Sequence, residues 1–162
     1  MKEKKIPRGL RNNNPLNIRY SKANRWMGRC NHKIDEAFEE FIHIQYGYRA
    51  AFIIIHKYIT VYHLNTIFML CARWAPVGDG NNPAEYARTV ASRMGCGINQ
   101  ELNFANPQQM VSLAKAMTFV ECGQEVNEVE VWQGYRLAAD YFKMKTACDE
   151  SLEEINKLLQ RV

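Results

Sequence analysis

The stretch RGLRNNNPLNIRY (residues 8–20) places four asparagines beside a proline and between arginines. Asparagine favours turns, because its short amide bonds to the neighbouring backbone and because it tolerates left-handed backbone geometry. One asparagine is enough for an ordinary surface loop. Four of them so close together are either a turn that only shapes the backbone or a turn whose side chains also bind a ligand.

The residues after this turn divide the chain into two regions. Residues 17–43 mix aromatic and polar residues without a clean helical face, which predicts a small β-hairpin or an irregular region. From Tyr46 onward, apolar residues recur at spacings of three and four, as they do in amphipathic helices. The expected helices cover about 46–62, 64–73, 83–94, 107–122, 127–143 and 149–160. The sequence therefore predicts a mostly α fold.

Two of the expected helices have clear start signals. Pro83 suits the first position of a helix, with Asn82 as its N-cap and Gly95 as its end. Asn106 and Pro107 repeat the same start signal further along the chain. For the helix expected over 64–73, Asn65 is a possible N-cap.

Length and composition suit one compact domain, since the chain has 162 residues of which 47% are apolar. We expect that domain to cover residues 1–145 and a charged helical tail to cover 146–162. The formal net charge is +4, and the basic excess is concentrated in residues 1–33, where Glu3 is the one acid. Such an arm faces either a polyanion or only solvent. Nucleic acid is not favoured as a partner, because no recognised binding motif is present and the pI is about 8.8.

The sequence contains no motif for a metal or a cofactor. Its five cysteines form no Cys-x-x-Cys pair, and its four histidines form no His-Glu-x-x-His motif. A P-loop and a dinucleotide-binding fingerprint are also missing. We therefore expect neither a metal site nor a cofactor.

The sequence also predicts no membrane span. The most apolar run, residues 50–64, is interrupted by His56, Lys57 and His63. The basic N-terminus is not followed by an apolar segment, so we expect no signal peptide and synthesis in a cytoplasm.

Glu121 is the first candidate for catalysis. It ends a strongly apolar predicted helix, directly after Phe119 and Val120. An apolar setting raises the pKa of a carboxyl group, and a raised pKa suits a general acid such as the one that protonates the leaving oxygen of a glycoside. The alternative is an ordinary surface glutamate at a helix end.

Asp35 is the second carboxylate candidate, because glycoside hydrolysis commonly uses a pair. Its neighbours Glu39 and Glu40 are expected on a solvent-exposed face. Candidate sugar-binding residues offer amide, guanidinium or aromatic groups, which suit hydroxyls, N-acetyl groups and sugar faces. They are Asn13, Asn14, Asn17, Arg19, Trp26 and Trp74. The two tryptophans are alternatively core residues.

The asparagine-rich stretch also carries a family resemblance. Together with RWMG, DEAFEEF, YGYRAAF, RWAP and AMTFVECG, it resembles small phage and prophage proteins known as structural protein P5, which are similar to lysozyme-like peptidoglycan hydrolases. The resemblance covers roughly residues 6–125. It implies a lysozyme-like helical domain, peptidoglycan strands and virion proteins as partners, and a location in the virion or at the bacterial cell wall.

A second resemblance is to bacterial glucosaminidases and lytic transglycosylases, which carry Glu-Ser-Gly at a helix end, an Asn-rich turn and Trp-x-Gly. The corresponding pieces here are Glu121-Cys122-Gly123, residues 13–18 and residues 26–28, in rotated order. This order implies a circularly permuted lysozyme-like fold. It also implies cleavage of a glycosidic bond by a muramidase, glucosaminidase or lytic transglycosylase, with Glu121 as general acid. The alternative is a non-catalytic structural or glycan-binding protein that kept the fold.

Overall fold

The computed structural model describes the backbone of residues 5–159, and side chains up to Lys143 together with those of Glu153 and Lys157. Over this range the fold is mostly helical, as predicted. The α-helices are α1 (Arg8–Arg11), α2 (Ile44–Thr60), α3 (Ile67–Trp74), α4 (Pro83–Met94), α5 (Pro107–Cys122) and α6 (Glu128–Leu159). A short 3-10 helix covers Val77–Asp79.

The two sharp start signals are confirmed. Asn82 accepts a hydrogen bond from the backbone N–H of Glu85 at 3.1 Å, which caps α4. Asn106 caps α5 in the same way through the N–H of Gln109. The start of α3 differs by one residue from the expected Asn65, because the side chain of Thr66 accepts from the backbone instead.

Helices α2 to α6 and the N-terminal turn all contribute buried apolar side chains to one core. The aromatic rings of Phe52 on α2 and Tyr135 on α6 meet edge to face, with centroids 5.4 Å apart. The two helices approach closely at Gly134, where a Cβ atom would lie 2.3 Å from the Cβ of Tyr48. The hydroxyl of Tyr48 then reaches α5, 3.0 Å from Oγ1 of Thr118. These contacts hold the end of α5 in a fixed position against the other helices.

The C-terminal part differs from the expected pair of helices. The structure has one continuous helix where 127–143 and 149–160 were predicted separately. The intervening residues contain no glycine or proline, so nothing local stops the helix. The predicted division at residue 145 stays a prediction, and residues 1–4 and 160–162 lie outside the described residues. Within the described range, no helix is long and apolar enough to cross a membrane.

The region between α1 and α2 is irregular, and the expected hairpin is not present among the described residues. It contains two isolated antiparallel bridges, Arg19 to Phe38 and Arg29 to Phe41. In place of the regular hydrogen bonds of a β-sheet, side chains form hydrogen bonds with backbone groups of this region. For example, Lys33 Nζ donates to the carbonyl of Phe38 at 2.8 Å.

One expectation about this region is wrong. Glu39 is fully buried rather than exposed to solvent. Arg29 neutralises it, donating through Nε at 2.8 Å and through a second guanidinium nitrogen. Because a buried carboxylate needs a partner of opposite charge, this ion pair anchors the irregular region from the inside.

Candidate functional site

The asparagine turn is rigid because its amides bond to its own backbone and to neighbouring backbone. Asn13 and Asn17 both have a φ of 50°, the left-handed conformation that asparagine tolerates. The buried side chain of Asn14 donates to the carbonyls of Ile18 and Glu39, and accepts from the N–H of Ile18. The turn therefore keeps its shape without help from a ligand.

The turn is also fastened to the end of α5. Cys122 Sγ donates to the carbonyl of Pro15 at 3.4 Å. Gly9 lies at this junction, where a Cβ atom would come within 3.0 Å of the carbonyl oxygen of Asn14, Oδ1 of Asn17 and Sγ of Cys122. Because no larger side chain fits, glycine lets α1 and the turn approach the end of α5.

Glu121 lies where the turn meets α5, and both of its carboxyl oxygens have a hydrogen-bond donor. Asn17 Nδ2 donates to Oε2 at 2.8 Å, and the hydroxyl of Tyr86 on α4 donates to Oε1 at 2.9 Å. Tyr86 is itself buried. Three separate segments of the chain thus fix the position and orientation of this carboxyl group.

The electrostatic setting of Glu121 agrees with the sequence prediction. Burial raises the pKa of Glu121, and the hydrogen bonds from Asn17 and Tyr86 only partly oppose that effect. The pKa of the Tyr86 hydroxyl is also raised, first by burial and then by the nearby charge of Glu121. Glu121 is therefore more easily protonated than an exposed glutamate.

Glu121 opens into a cleft of about 490 Å³. The residues that line it include Asn17, Arg19, Tyr58, Trp74, Asp79 and Asn81. The wall is mixed, because aromatic rings and side chains with amide, guanidinium and carboxylate groups face the same space. Such a lining suits a ligand with both polar groups and apolar faces, and sugars combine the two.

Two features define the walls of the cleft. The indole Nε1 of Trp74 donates to the carbonyl of Leu16 at 3.2 Å, which fixes the ring beside the asparagine turn. Across the cleft, Arg19 and Asp79 form an ion pair with 3.4 Å between nitrogen and oxygen. Both charged side chains are about half exposed, so the pair is accessible to a ligand.

The structure brings together four of the eight predicted site residues. Glu121, Asn17, Arg19 and Trp74 all line the cleft. These residues come from the N-terminal turn, α3 and α5, so they are distant in sequence. Their convergence supports the choice of Glu121 as the centre of the site.

Asp35 lies elsewhere. It faces Arg8, which donates two hydrogen bonds of 2.6 Å to its carboxylate, and Asn12, which donates a third at 2.8 Å. Arg8, and to a smaller degree Asn12, hold the pKa of this carboxyl well below its usual range. Asp35 lines two other surface depressions and is not among the residues of the Glu121 cleft.

The remaining three candidates shape the site rather than line it. Asn13 donates to the carbonyl of Phe41 at 2.9 Å, and the donors of Asn14 are both used by backbone carbonyls. Trp26 lines a neighbouring groove rather than the cleft. Its indole ring packs against the core, which is the alternative that its sequence left open.

Sequence reasoning missed three residues of the site, Asp79, Asn81 and Tyr86. Asp79 and Asn81 lie in VGDGNNP, a stretch whose glycines indicate a surface loop but no role. Tyr86 appears in the sequence only as one position of a predicted helix. No local signal marks these residues, because the loop before α4 must pack beside the cleft, and α4 must pack against α5 to bring Tyr86 to Glu121.

Among the residues that the structure describes, no group of three His, Cys, Asp or Glu side chains is arranged to hold a metal ion. The site itself offers carboxyl, amide, hydroxyl and guanidinium groups. Of these, Glu121 is the group whose pKa and position suit proton transfer.

Part of the chain is similar to a known phage protein. No family model matches the chain. Over 98 residues the chain is 41% identical to Protein P5 of Pseudoalteromonas phage PM2, and the match covers 59% of the chain. The chain spans about 61% of the length of that relative. This similarity supports the resemblance to a phage protein P5, while the likeness to lysozyme-like hydrolases stays a prediction.

Proposed function

We propose that the chain is a peptidoglycan-cleaving glycosidase of phage or prophage origin, in which Glu121 is the general acid. One observation carries this proposal: a half-buried carboxyl with a raised pKa, held by Asn17 and Tyr86, opens into a cleft with amide and aromatic walls. A protonated Glu121 would give its proton to the glycosidic oxygen as the bond to the sugar breaks. In this proposal the domain is a circularly permuted lysozyme-like fold.

The sugar-binding groups follow from the walls of the cleft. The ring of Trp74 offers a face for the apolar side of a sugar, and Arg19 offers donors to hydroxyl or N-acetyl oxygens. Asn81 lies in the same cleft, and because its amide nitrogen donates to the carbonyl of Pro76 at 3.3 Å, it offers its side-chain oxygen as an acceptor. Asn13 and Asn14 are left out of this set, because backbone carbonyls already use their donors.

Asp79 replaces Asp35 as the proposed second carboxylate. Asp79 lines the cleft that contains Glu121, whereas Asp35 is held by Arg8 outside it. Asp79 forms an ion pair with Arg19. To stabilise a positively charged sugar or to activate water, the carboxylate of Asp79 would have to leave Arg19 and turn toward the substrate. If it does not turn, the N-acetyl or 6-hydroxyl group of the substrate takes that role, the latter giving a lytic transglycosylase.

A non-catalytic phage structural or glycan-binding role is the second candidate. The observation that favours it is the Arg19–Asp79 ion pair, which occupies the second carboxylate of the cleft. The similarity to a phage protein is compatible with either role. In both cases the proposed partners are peptidoglycan strands and other virion proteins, and the proposed location is the virion or the cell wall after release.

Purified peptidoglycan separates the two candidates. If the chain is a glycosidase, wild type releases soluble fragments, and their masses distinguish hydrolysed from anhydro sugar ends. If the chain only binds glycan, it sediments with peptidoglycan and releases no fragments. Glu85 is an exposed glutamate on α4, so Glu85→Gln is the matched control for Glu121→Gln.

A further inference from the structure

A second groove lies directly beside the Glu121 cleft. It has a volume of about 740 Å³ and is lined mainly by aromatic rings and basic groups, among them Trp26, Lys57, Tyr62, Arg73, Tyr141 and Phe142. The groove and the cleft share lining residues, including Asn24, Tyr58 and Arg73. Because the two spaces adjoin, one extended ligand can reach both.

The groove carries a positive charge that its own lining does not balance. Lys57 Nζ lies 5.4 Å from the ring centroid of Tyr62, and the Arg73 guanidinium lies 5.7 Å from that of Tyr58. None of the described residues that line the groove is an aspartate or glutamate. Neither cation forms an ion pair with a residue that the structure describes.

Two buried donors lie at or beside this groove. Arg49 is only 7% exposed, its guanidinium lies 5.2 Å from the ring centroid of Tyr141, and its Nε has no acceptor in the described part of the chain. The indole Nε1 of Trp26, which lines the groove, is likewise buried without an acceptor there. The charge of Arg49 adds to that of the exposed cations Lys57 and Arg73, so the groove favours a ligand that brings negative charge.

We propose that this groove binds the acidic peptide stem of peptidoglycan while the attached glycan lies in the Glu121 cleft. This inference rests on the proposed function, because the glycan places the stem beside the cleft. The stem combines free carboxylates with small apolar side chains, which match the cations and the aromatic rings of the groove. A bare glycan would fill the cleft and leave the groove empty.

Direct binding tests the groove without requiring cleavage. The probe is a synthetic stem peptide, L-Ala–D-Glu–diaminopimelate–D-Ala, titrated by calorimetry into the full chain. We expect Lys57→Glu to weaken binding at least fivefold, and Lys22→Glu, an exposed lysine outside both spaces, to leave it within twofold. Absence of binding by wild type, or equal loss in both variants, overturns the proposal.

Cleavage rates then test whether binding of the stem in the groove assists cleavage of the glycan in the Glu121 cleft. Intact peptidoglycan is compared with glycan strands from which an amidase has removed the stems. Lys57→Glu is expected to slow cleavage of the intact polymer about tenfold and to leave cleavage of bare strands within twofold. Equal slowing on both polymers overturns stem recognition. A wild-type chain that cleaves neither contradicts the proposed function, and the peptide titration then decides the groove alone.

Discussion

The side-chain amide of Asn17 donates a hydrogen bond of 2.8 Å to Oε2 of Glu121, across 104 positions of sequence. The contact joins the N-terminal turn to the end of α5. It also explains one of the four asparagines, since residue 17 must both adopt a left-handed backbone and present a donor to the carboxyl group.

Replacing Asn17 with glycine should raise the pKa of Glu121 further. Glycine accepts the φ of 50°, so the change removes the amide donor without straining the backbone. Asn13→Gly is the matched control, because residue 13 has the same φ and its amide bonds to Phe41 instead. Carboxyl NMR titration of Glu121 measures the effect. An unchanged titration in Asn17→Gly would show that this hydrogen bond does not influence the carboxyl group.

Glu121→Gln should be more stable than wild type at neutral pH. Because burial raises the pKa of Glu121 above its ordinary value of 4.5, the folded state loses stability as pH rises through the raised pKa. A neutral glutamine avoids that loss, as often happens when a functional group is removed. Urea denaturation measures the free energy of unfolding of both proteins at pH 7 and at pH 4. The difference between Glu121→Gln and wild type should be smaller at pH 4. An equal difference in the free energy of unfolding at both pH values would argue against a raised pKa of Glu121.

Asp35→Asn and Asp79→Asn should have opposite effects. Since Arg8 lowers the pKa of Asp35, the ionised carboxyl stabilises the fold above its ordinary pKa, and this stability is lost as pH falls. Asp35→Asn should therefore unfold more easily at pH 7 but keep its activity. Asp79→Asn should keep its stability and lose about 10²-fold in cleavage rate. Denaturation curves and fragment-release rates separate the two, and loss of activity in Asp35→Asn alone would restore Asp35 as the second carboxylate.

Gly9→Ala should destabilise the fold by about 1–3 kcal/mol, because its Cβ would press on Asn14, Asn17 and Cys122. Gly97→Ala is the control, since a Cβ there meets nothing within 4 Å. The comparison uses the free energy of unfolding from urea denaturation. Equal stability of the two variants would mean that α1 does not pack tightly against the end of α5.

Much of the fold could be predicted from local sequence. Helices α4 and α5 start where asparagine–proline pairs predict, because a cap is a property of a few adjacent residues. The continuity of α6 is also local, since no glycine or proline interrupts it. The burial of Glu39 could not be predicted in this way, because it depends on a tertiary partner, and the ion pair of Glu39 with Arg29 has no signature in the sequence near either residue.

The candidate site likewise contains residues with a local sequence signal and residues that only tertiary packing brings there. Glu121 could be found because its apolar neighbours and helix-end position are local, and burial does raise its pKa. Asp35 was chosen as second carboxylate from residue type alone, and its pairing with Arg8 places it outside the cleft. Asp79 has no local signal, since only the packing of the loop after α3 brings it beside Arg19.

The role of Glu121 is tested most directly by the rate at which wild type, Glu121→Gln and Glu85→Gln release soluble fragments from purified peptidoglycan. With Glu121 as general acid, wild type and Glu85→Gln release fragments at similar rates, and Glu121→Gln is slower by about 10²-fold or more while remaining folded. Fragment release by Glu121→Gln at the wild-type rate would contradict the assignment of Glu121 as general acid. Release by none of the three folded proteins would contradict the enzyme itself and leave the glycan-binding role.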